Sequence, residues 1–264
     1  MAAVFSEHQK NHLLELIAAA PPTFIVVSTA GSDTEGTGSF QQPYKTITKA
    51  LTKLSAVRNT IYVLSGEYEE AATLTWPAIN YANLIGIGPV SISNGNSAAQ
   101  VLLIQPGSAA SSSFGVTIEG VNIAADTQIG LKVANAAMTK KLNLYLKDVS
   151  FEMDTSGDSV DVAGTVSGQA IRIYADGLDV EGLFHFTVND GGSRLRVSNS
   201  KLVGGLTTVG AVASEVCLRN TQILASGITV ASEQKLTTVA CVYATDADPT
   251  VYTNCANAFA TYPG

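Results

Sequence analysis

Residues 144–151 read LYLKDVSF, and residues 173–180, 29 positions later, read IYADGLDV. Both octets carry apolar or small residues at positions one, three, six and eight, with a polar or turn pair at four and five. Six further octets follow this pattern, and they begin at Ile61, Ile85, Val116, Leu195, Val216 and Leu236. Alternation with a period of two is typical of β-strands. Each octet therefore predicts two short strands joined by a bend at positions four and five.

The octets form an internal repeat along most of the chain. They start 20 to 31 residues apart, and a further alternating stretch lies between most of them. One unit supplies three short strands, which cannot bury their apolar side chains alone, whereas stacked units bury a continuous column. We therefore predict an all-β fold, a single-stranded right-handed parallel β-helix over residues 61–244, with coils about 4.8 Å apart.

Stacking of the coils predicts three outward columns. Position five carries residue types that tolerate a left-handed backbone: Gly120, Asp148, Gly177, Asn199 and Asn220, the last two able to form an amide ladder. Position two brings Tyr145 over Tyr174 as an aromatic stack. Position four aligns Glu119, Lys147 and Asp176, where each charge offsets its neighbour.

The segments outside the coils have their own patterns. A capping-box pattern and helical spacing predict an amphipathic helix over residues 7–20 within a segment 1–22. Its apolar residues serve either to cover one end of the core or to dock and oligomerise: Leu13, Leu14, Leu16 and Ile17. Residues 23–60 predict an entry strand, a loop and a capping helix over 43–54. Residues 245–264 remain as a C-terminal cap or tail.

Composition excludes several classes of function. The chain of 264 residues is 46% hydrophobic and only 14% charged, with a formal charge of −7. Without a basic cluster in the sequence, we expect no nucleic-acid surface and disfavour any anionic partner. The apolar run over residues 12–20 is interrupted by Glu15 and is too short for a membrane span, so we expect no membrane association and no signal peptide. Three cysteines are too few for a disulfide framework and indicate reduced thiols and intracellular synthesis.

A resemblance begins at residue 27. Gly31-Ser32-Asp33, Gly36-Thr37, Pro43-Tyr44-Lys45-Thr46-Ile47, Ala50-Leu51 and the octet from Ile61 to Tyr68 follow one another in this order. This succession resembles the entry to pectate-lyase-like β-helix proteins. With the repeat, the resemblance covers about residues 23–243. It implies the fold, whereas the same opening precedes lyases, hydrolases, esterases, adhesins and inert virion parts.

Few residues suggest catalysis. A glycosidase needs two carboxylates facing one groove, and the best candidates are Glu119, Asp148 and Asp176 on adjacent bends. Lys147 in the same column favours a solvated charge ladder instead.

Metal ligands are equally sparse. A second acidic set is either a site for a hard cation or an ordinary surface loop: Glu152, Asp154, Asp158 and Asp161. His8 and His12 lie one helical turn apart without the glutamate of a zinc motif, and His185 stands between two phenylalanines. We predict no cofactor and no metal.

The combination of small-residue coils and a short N-terminal helix resembles bacteriophage virion proteins. We expect a non-enzymatic structural protein of the virion, made in the host cytoplasm. Its place is a capsid decoration of the cement or head-fibre type, or a tail-associated part. A homotrimer attached to the capsid is expected from the outward residues Val239, Val242 and Val251. The alternatives are a polysaccharide lyase or hydrolase of the tailspike type and an adhesin that binds a host surface glycan.

Overall fold

The coils are built from short parallel strands in which buried apolar side chains alternate with outward polar ones. The computed structural model describes residues 23–95, 99–106, 114–126, 128–135, 141–153, 158–210, 214–224, 228–229 and 234–243. The predicted N-terminal helix and the C-terminal tail lie outside these residues. No helix in the described part of the chain is long and apolar enough to cross a membrane.

Twenty-two strands and one helix occupy the described residues. In chain order they are β1 (Phe24–Val27), α1 (Ile47–Leu51), β2 (Thr60–Glu69), β3 (Leu74–Thr75), β4 (Ala82–Ser93), β5 (Gln100–Ile104), β6 (Phe114–Glu119), β7 (Asn122–Ala125), β8 (Ile129–Ala134), β9 (Leu142–Lys147), β10 (Ser150–Met153), β11 (Asp158–Gly164), β12 (Ile171–Asp176), β13 (Asp179–Val180), β14 (Leu183–Val188), β15 (Arg194–Ser198), β16 (Lys201–Leu202), β17 (Leu206–Val209), β18 (Glu215–Arg219), β19 (Gln222–Ile223), β20 (Ile228–Thr229), β21 (Lys235–Val239) and β22 (Val242–Tyr243).

Successive coils stack in parallel on three faces. The first face contains β6, β9, β12, β15, β18 and β21, the second face β7, β10, β13, β16, β19 and β22, and the third face the seven strands from β3 to β20. Strand β4 is long enough to pair with both β6 and β7, which joins the first two faces into one 15-stranded sheet. The predicted right-handed parallel β-helix is confirmed.

The bends between the first and second faces adopt the predicted left-handed backbone. The φ angles are 66° at Gly120, 50° at Asp148, 70° at Gly177, 49° at Asn199 and 48° at Asn220. The amide ladder is also present, because Asn220 Nδ2 donates to Asn199 Oδ1 at 2.8 Å. The same bend in the next coil has φ 52° at Ala240, although alanine has no side-chain group that favours this conformation.

The interior is a continuous apolar column. Phe151, Phe184 and Phe186 are fully buried, and Trp76 lies buried near the entry. Each such side chain stabilises the fold by about 1.5–3 kcal/mol relative to an exposed position. The buried apolar residues of successive coils belong to one cluster, so the column forms a single core.

The entry to the column is held by two carboxylates. Asp33 accepts hydrogen bonds from Lys45 N and Thr46 N, at 2.9 and 3.1 Å. Buried Glu70 accepts from Ile47 N at 2.7 Å and from the Thr48 hydroxyl at 2.6 Å. These bonds fix the start of α1 against the first coils.

The capping helix is shorter than the sequence predicts. Its pattern extends over residues 43–54, whereas α1 covers Ile47–Leu51. Tyr44 instead forms a parallel bridge with Val27. Residues 43–45 therefore precede the helix, and Thr46 becomes the N-cap by accepting from Lys49 N at 3.1 Å.

The second octet is wrongly phased in the sequence prediction. Its start at Ile85 should align with Val116, but Val116 pairs with Ala82. Ile85 consequently points outward, and Ile87 is exposed. The cause is an insertion at the bend around Gly88, which has φ 82°. The pairing recovers its predicted register at Ile92, opposite Ile123.

Candidate functional site

The predicted charge column lies on the outward side of the first face. Glu119 aligns with Lys147, and Lys147 with Asp176. Lys147 Nζ donates to Glu119 Oε1 at 2.5 Å. This hydrogen bond, together with the charge of Glu119, raises the pKa of Lys147. Asp176 instead accepts from the Ser198 hydroxyl at 2.8 Å and from Asn199 Nδ2 at 2.7 Å.

The three candidate catalytic carboxylates do not open to one groove. Asp148 borders a groove of about 560 Å³ at the bends between the first and second faces, together with Glu67. Asp176 borders a larger groove of about 990 Å³ along the first face, and Glu119 borders neither of these two. The structure thus places the predicted set on adjacent coils around Lys147, whose pKa is raised by its hydrogen bond to Glu119 and by the charges of all three carboxylates, but neither of these two grooves is bordered by all three.

The predicted tyrosine stack borders the larger groove. The rings of Tyr145 and Tyr174 are nearly parallel, with centroids 5.2 Å apart. The guanidinium of Arg196 lies over the other side of Tyr174, 6.0 Å from the ring centroid. Arg196 follows Tyr174 in register on the next coil. Each ring therefore covers one face of the other ring, and the stack presents ring edges and hydroxyl groups to the groove.

Outward cations of four coils lie on the same face as this groove, and Arg196 and Arg219 border the groove itself. We call the five cations the basic face: Arg172, Arg194, Arg196, Arg219 and Lys235. All five stand at outward positions of β12, β15, β18 and β21. The sequence shows no basic cluster because these residues are about twenty positions apart in it, and the coils bring them to one face.

One carboxylate serves two of these cations. Glu215 Oε2 lies 3.1 Å from Arg194 Nε, and Glu215 Oε1 lies 3.7 Å from Arg196 Nη2. Arg172 Nε donates to the carbonyl of Gly192 at 3.3 Å. The guanidinium groups are therefore positioned by neighbouring coils but remain at the surface.

The octet pattern missed three of the five cations because they lie just outside the octets. Arg172, Arg194, Glu215 and Lys235 each stand immediately before an octet, and they align in register across four coils. Extending each octet by one residue toward its N-terminus reveals this column in the sequence alone.

The described residues of the second predicted acidic set each contact a different partner. Asp161 Oδ2 lies 3.0 Å from Lys132 Nζ, and Asp158 Oδ2 lies 3.1 Å from His185 Nδ1. Glu152 accepts from Asn122 Nδ2 at 2.8 Å. Among the described residues, no three His, Cys, Asp or Glu side chains gather in a way that would hold a metal ion. Asp154, His8 and His12 lie outside these residues.

The predicted assembly residues are only partly visible. Val239 and Val242, on the last described coil, are 46% and 51% exposed. Val251 and the docking residues Leu13, Leu14, Leu16 and Ile17 lie outside the described residues.

The comparisons with known proteins concern the fold and the family. A family described as "protein of unknown function (DUF1565)" matches residues 29–191, which is more than half of the chain. The chain belongs to this family. The DUF1565 match contains the entry, the charge column and the tyrosine stack. Of the basic face it contains only Arg172.

Two solved structures are similar to this chain. One is a pectin methylesterase from Aspergillus niger in deglycosylated form, with TM-score 0.38 and 14% identity, covering 87% of this chain and 88% of that chain. The other is a rhamnogalacturonan lyase, with TM-score 0.38 and 12% identity, covering 82% and 72%. No curated protein matches the sequence.

Proposed function

We propose that the protein is a non-catalytic structural component of a bacteriophage virion. Its place would be a capsid decoration, or else a tail-associated part. The observation that supports this role is that outward polar side chains of the β-helix contact one another from coil to coil. Lys147 pairs with Glu119, Asn220 with Asn199, and Lys201 Nζ lies 3.6 Å from Asp179 Oδ1. Contacts of this kind add to the backbone pairing between coils and occupy the polar side chains within the protein itself, which suits a structural element.

Attachment to the capsid would come from the segment before the first strand. Residues 1–22 precede β1 and carry the apolar residues Leu13, Leu14, Leu16 and Ile17. A homotrimer would bury the exposed Val239 and Val242, because a symmetric contact covers the same patch on every copy.

Copurification with intact virions tests this proposal. Full-length protein is expected in gradient-purified particles at a fixed copy number, measured by quantitative mass spectrometry. A variant lacking residues 1–22 should keep its β-type circular dichroism but no longer bind particles. Absence of the full-length protein from particles contradicts the virion role, and loss of the β signal on deletion assigns residues 1–22 to the core.

The oligomeric state is tested separately. Light scattering of the purified protein is expected to give the mass of a trimer. Val239→Asp with Val242→Asp should give a monomer, because a charge buried at a symmetric contact is repeated in every copy. A matched pair of changes away from the last coil, Val57→Asp with Ile87→Asp, replaces two other exposed residues and should leave the trimer intact. A monomeric unsubstituted protein contradicts the proposed trimer.

A polysaccharide lyase or hydrolase is the second candidate, and one spacing favours it. Glu119 and Asp176 stand two coils apart in one column, which separates their backbones by about 9.6 Å. Carboxyl groups in inverting glycosidases are about 6.5–9.5 Å apart, a range that two side chains leaning toward each other from this backbone separation can reach. Lys147 between them, already bonded to Glu119, opposes this reading.

Turnover of a panel of polysaccharides decides between the two candidates. The structural proposal expects no new reducing ends and no unsaturated products. If the unsubstituted protein does degrade a glycan, Glu119→Gln and Asp176→Asn should each abolish turnover, with Asp148→Asn as the third member of the predicted set. A large rate loss with unchanged folding would overturn the structural proposal.

A further inference from the structure

The basic face stands out against the charge of the whole molecule. The outward positions of β12, β15, β18 and β21 carry five cations and two carboxylates, Asp176 and Glu215, so this surface has a local charge of +3. The complete chain has a formal charge of −7. Positive charge is therefore concentrated on one face of four adjacent coils.

These cations are accessible and incompletely neutralised. The side chains of Arg194 and Arg196 are 41% and 48% exposed, although both contact Glu215. Arg219 and Lys235 are exposed and form no ion pair with another described residue. Two arginines share one carboxylate, so at least one positive charge remains available there for a ligand.

The stacking also brings like charges together. Arg172 aligns directly with Arg194 on the next coil. Like charges opposite each other on neighbouring strands destabilise a sheet. An anion bound between them would offset this repulsion, so the arrangement favours a negatively charged ligand.

Neutral hydrogen-bonding groups accompany Arg196 and Arg219 in the same groove. Ser198, Asn199 and Asn220 border it together with Asp176 and the tyrosine hydroxyl groups. Amides both donate and accept, whereas a carboxylate accepts from hydroxyl groups. The set therefore suits a ligand with many hydroxyl groups and spaced anionic groups.

A nucleic acid fits this groove less well. Its backbone carries a negative charge at every nucleotide, and the carboxylates of Asp176 and Glu215 would repel it. In an acidic polysaccharide, hydroxyl groups between the anionic groups can donate to these carboxylates. The mixed lining therefore favours a sugar chain.

We propose that the basic face binds an acidic polysaccharide bearing carboxylate or sulfate groups. The chain would lie along the axis of the β-helix, across coils whose outer members are about 14 Å apart. Arg196 and Arg219 contact the anionic groups, and Asp176 with Asn199 and Asn220 contacts the hydroxyl groups. This binding goes beyond the structural role and does not depend on attachment to a virion.

Affinity electrophoresis of the full chain tests the proposal with four probes. Polygalacturonate and dextran sulfate carry carboxylate and sulfate groups, dextran is the neutral control, and single-stranded DNA is the competing polyanion. At least one acidic polysaccharide is expected to retard the protein, while dextran is not. The double variant Arg196→Gln/Arg219→Gln should bind about tenfold more weakly and depend less on salt.

A matched variant separates the site from the net charge. Lys132→Gln/Lys201→Gln also removes two positive charges, one from the third face and one from the second face. Its affinity for the polysaccharide should change less than about twofold. Lys235→Gln, which breaks no ion pair among the described residues, should weaken binding on its own and covers the case in which the arginine variant unfolds.

Three results would overturn the assignment. They are no retardation by either acidic polysaccharide, equal weakening in the two double variants, and tighter binding of DNA than of both polysaccharides. Virion copurification and polysaccharide binding are measured in separate assays, so either proposal can fail without the other.

Discussion

Ala240→Asn is expected to stabilise the last described coil. Ala240 has φ 52°, close to the 48° of Asn220 at the equivalent bend. Alanine pays about 1–2 kcal/mol for this left-handed backbone, whereas asparagine adopts it more readily. The new amide would continue the ladder in which Asn220 Nδ2 donates to Asn199 Oδ1 at 2.8 Å.

The magnitude follows from three contributions. Relief of backbone strain contributes about 0.5–1 kcal/mol, and a surface hydrogen bond to Asn220 contributes about 0.5–1 kcal/mol. Ordering the asparagine side chain costs about 0.5–1 kcal/mol. At the midpoints of these ranges the net gain is about 0.75 kcal/mol, which corresponds to a change of about three- to fourfold in an opening equilibrium.

Hydrogen exchange measures this opening directly. The amide of Asn220 donates to the carbonyl of Val239 at 2.8 Å, across the junction between the last two described coils. Its exchange should become about three- to fourfold slower in Ala240→Asn. Ala240→Val, with a branched side chain in the same conformation, should exchange faster than the unsubstituted protein.

Asn220→Gly supplies the matched background. Glycine keeps the left-handed bend but removes the acceptor for the new amide. In this background Ala240→Asn should lose about 0.5–1 kcal/mol of its gain, the contribution of the ladder bond. Exchange at the junction that is equally fast in Ala240→Asn and Ala240→Val would refute the reasoning about this bend.

Three further predictions concern stability and reactivity. Glu70→Gln should lower the free energy of unfolding in urea by about 2 kcal/mol, because the buried carboxylate accepts from Ile47 N and the Thr48 hydroxyl. The exposed Glu69→Gln should change it by less than about 0.5 kcal/mol. Equal effects of the two changes contradict the anchoring role of Glu70. Phe184→Ala should lower the free energy of unfolding by about 3–5 kcal/mol and Phe184→Leu by much less, since the side chain is fully buried. A loss below about 1 kcal/mol for Phe184→Ala, measured by chemical denaturation, contradicts continuous packing of the column. Iodoacetamide should modify half-buried Cys217 before Cys241, because burial raises the pKa of the Cys241 thiol; peptide mass spectrometry that finds Cys241 modified first contradicts this order.

The sequence predicts the coils best where the bends have constant length. From Val116 onward every octet takes the predicted register, since a single left-handed residue closes each bend. At the second octet, additional residues around Gly88 lengthen the bend. A period-two pattern then fits two phases, and only the pairing with neighbouring coils selects Ala82 over Ile85.

The candidate site is harder to predict because it depends on side chains from different coils. Aligning the octets predicts the charge column and the tyrosine stack, but it does not predict which groove each carboxylate borders. Asp148 and Asp176 are near in the alignment, yet one borders the bend groove and the other the first-face groove. A change of one position at a bend alters the direction of a side chain more than any sequence pattern shows.

Stacking decides whether outward charges act as internal contacts or as a surface for ligands. Where signs alternate, as from Glu119 to Lys147, the charges pair with each other and little potential remains outside. Where like signs align, as Arg172 does with Arg194, the pairing costs stability and a field extends into solvent. Both arrangements occur on the first face, a few coils apart. The coils that carry Glu119 and Lys147 therefore serve cohesion, and the basic face retains positive charge beyond what the carboxylates of the described residues neutralise.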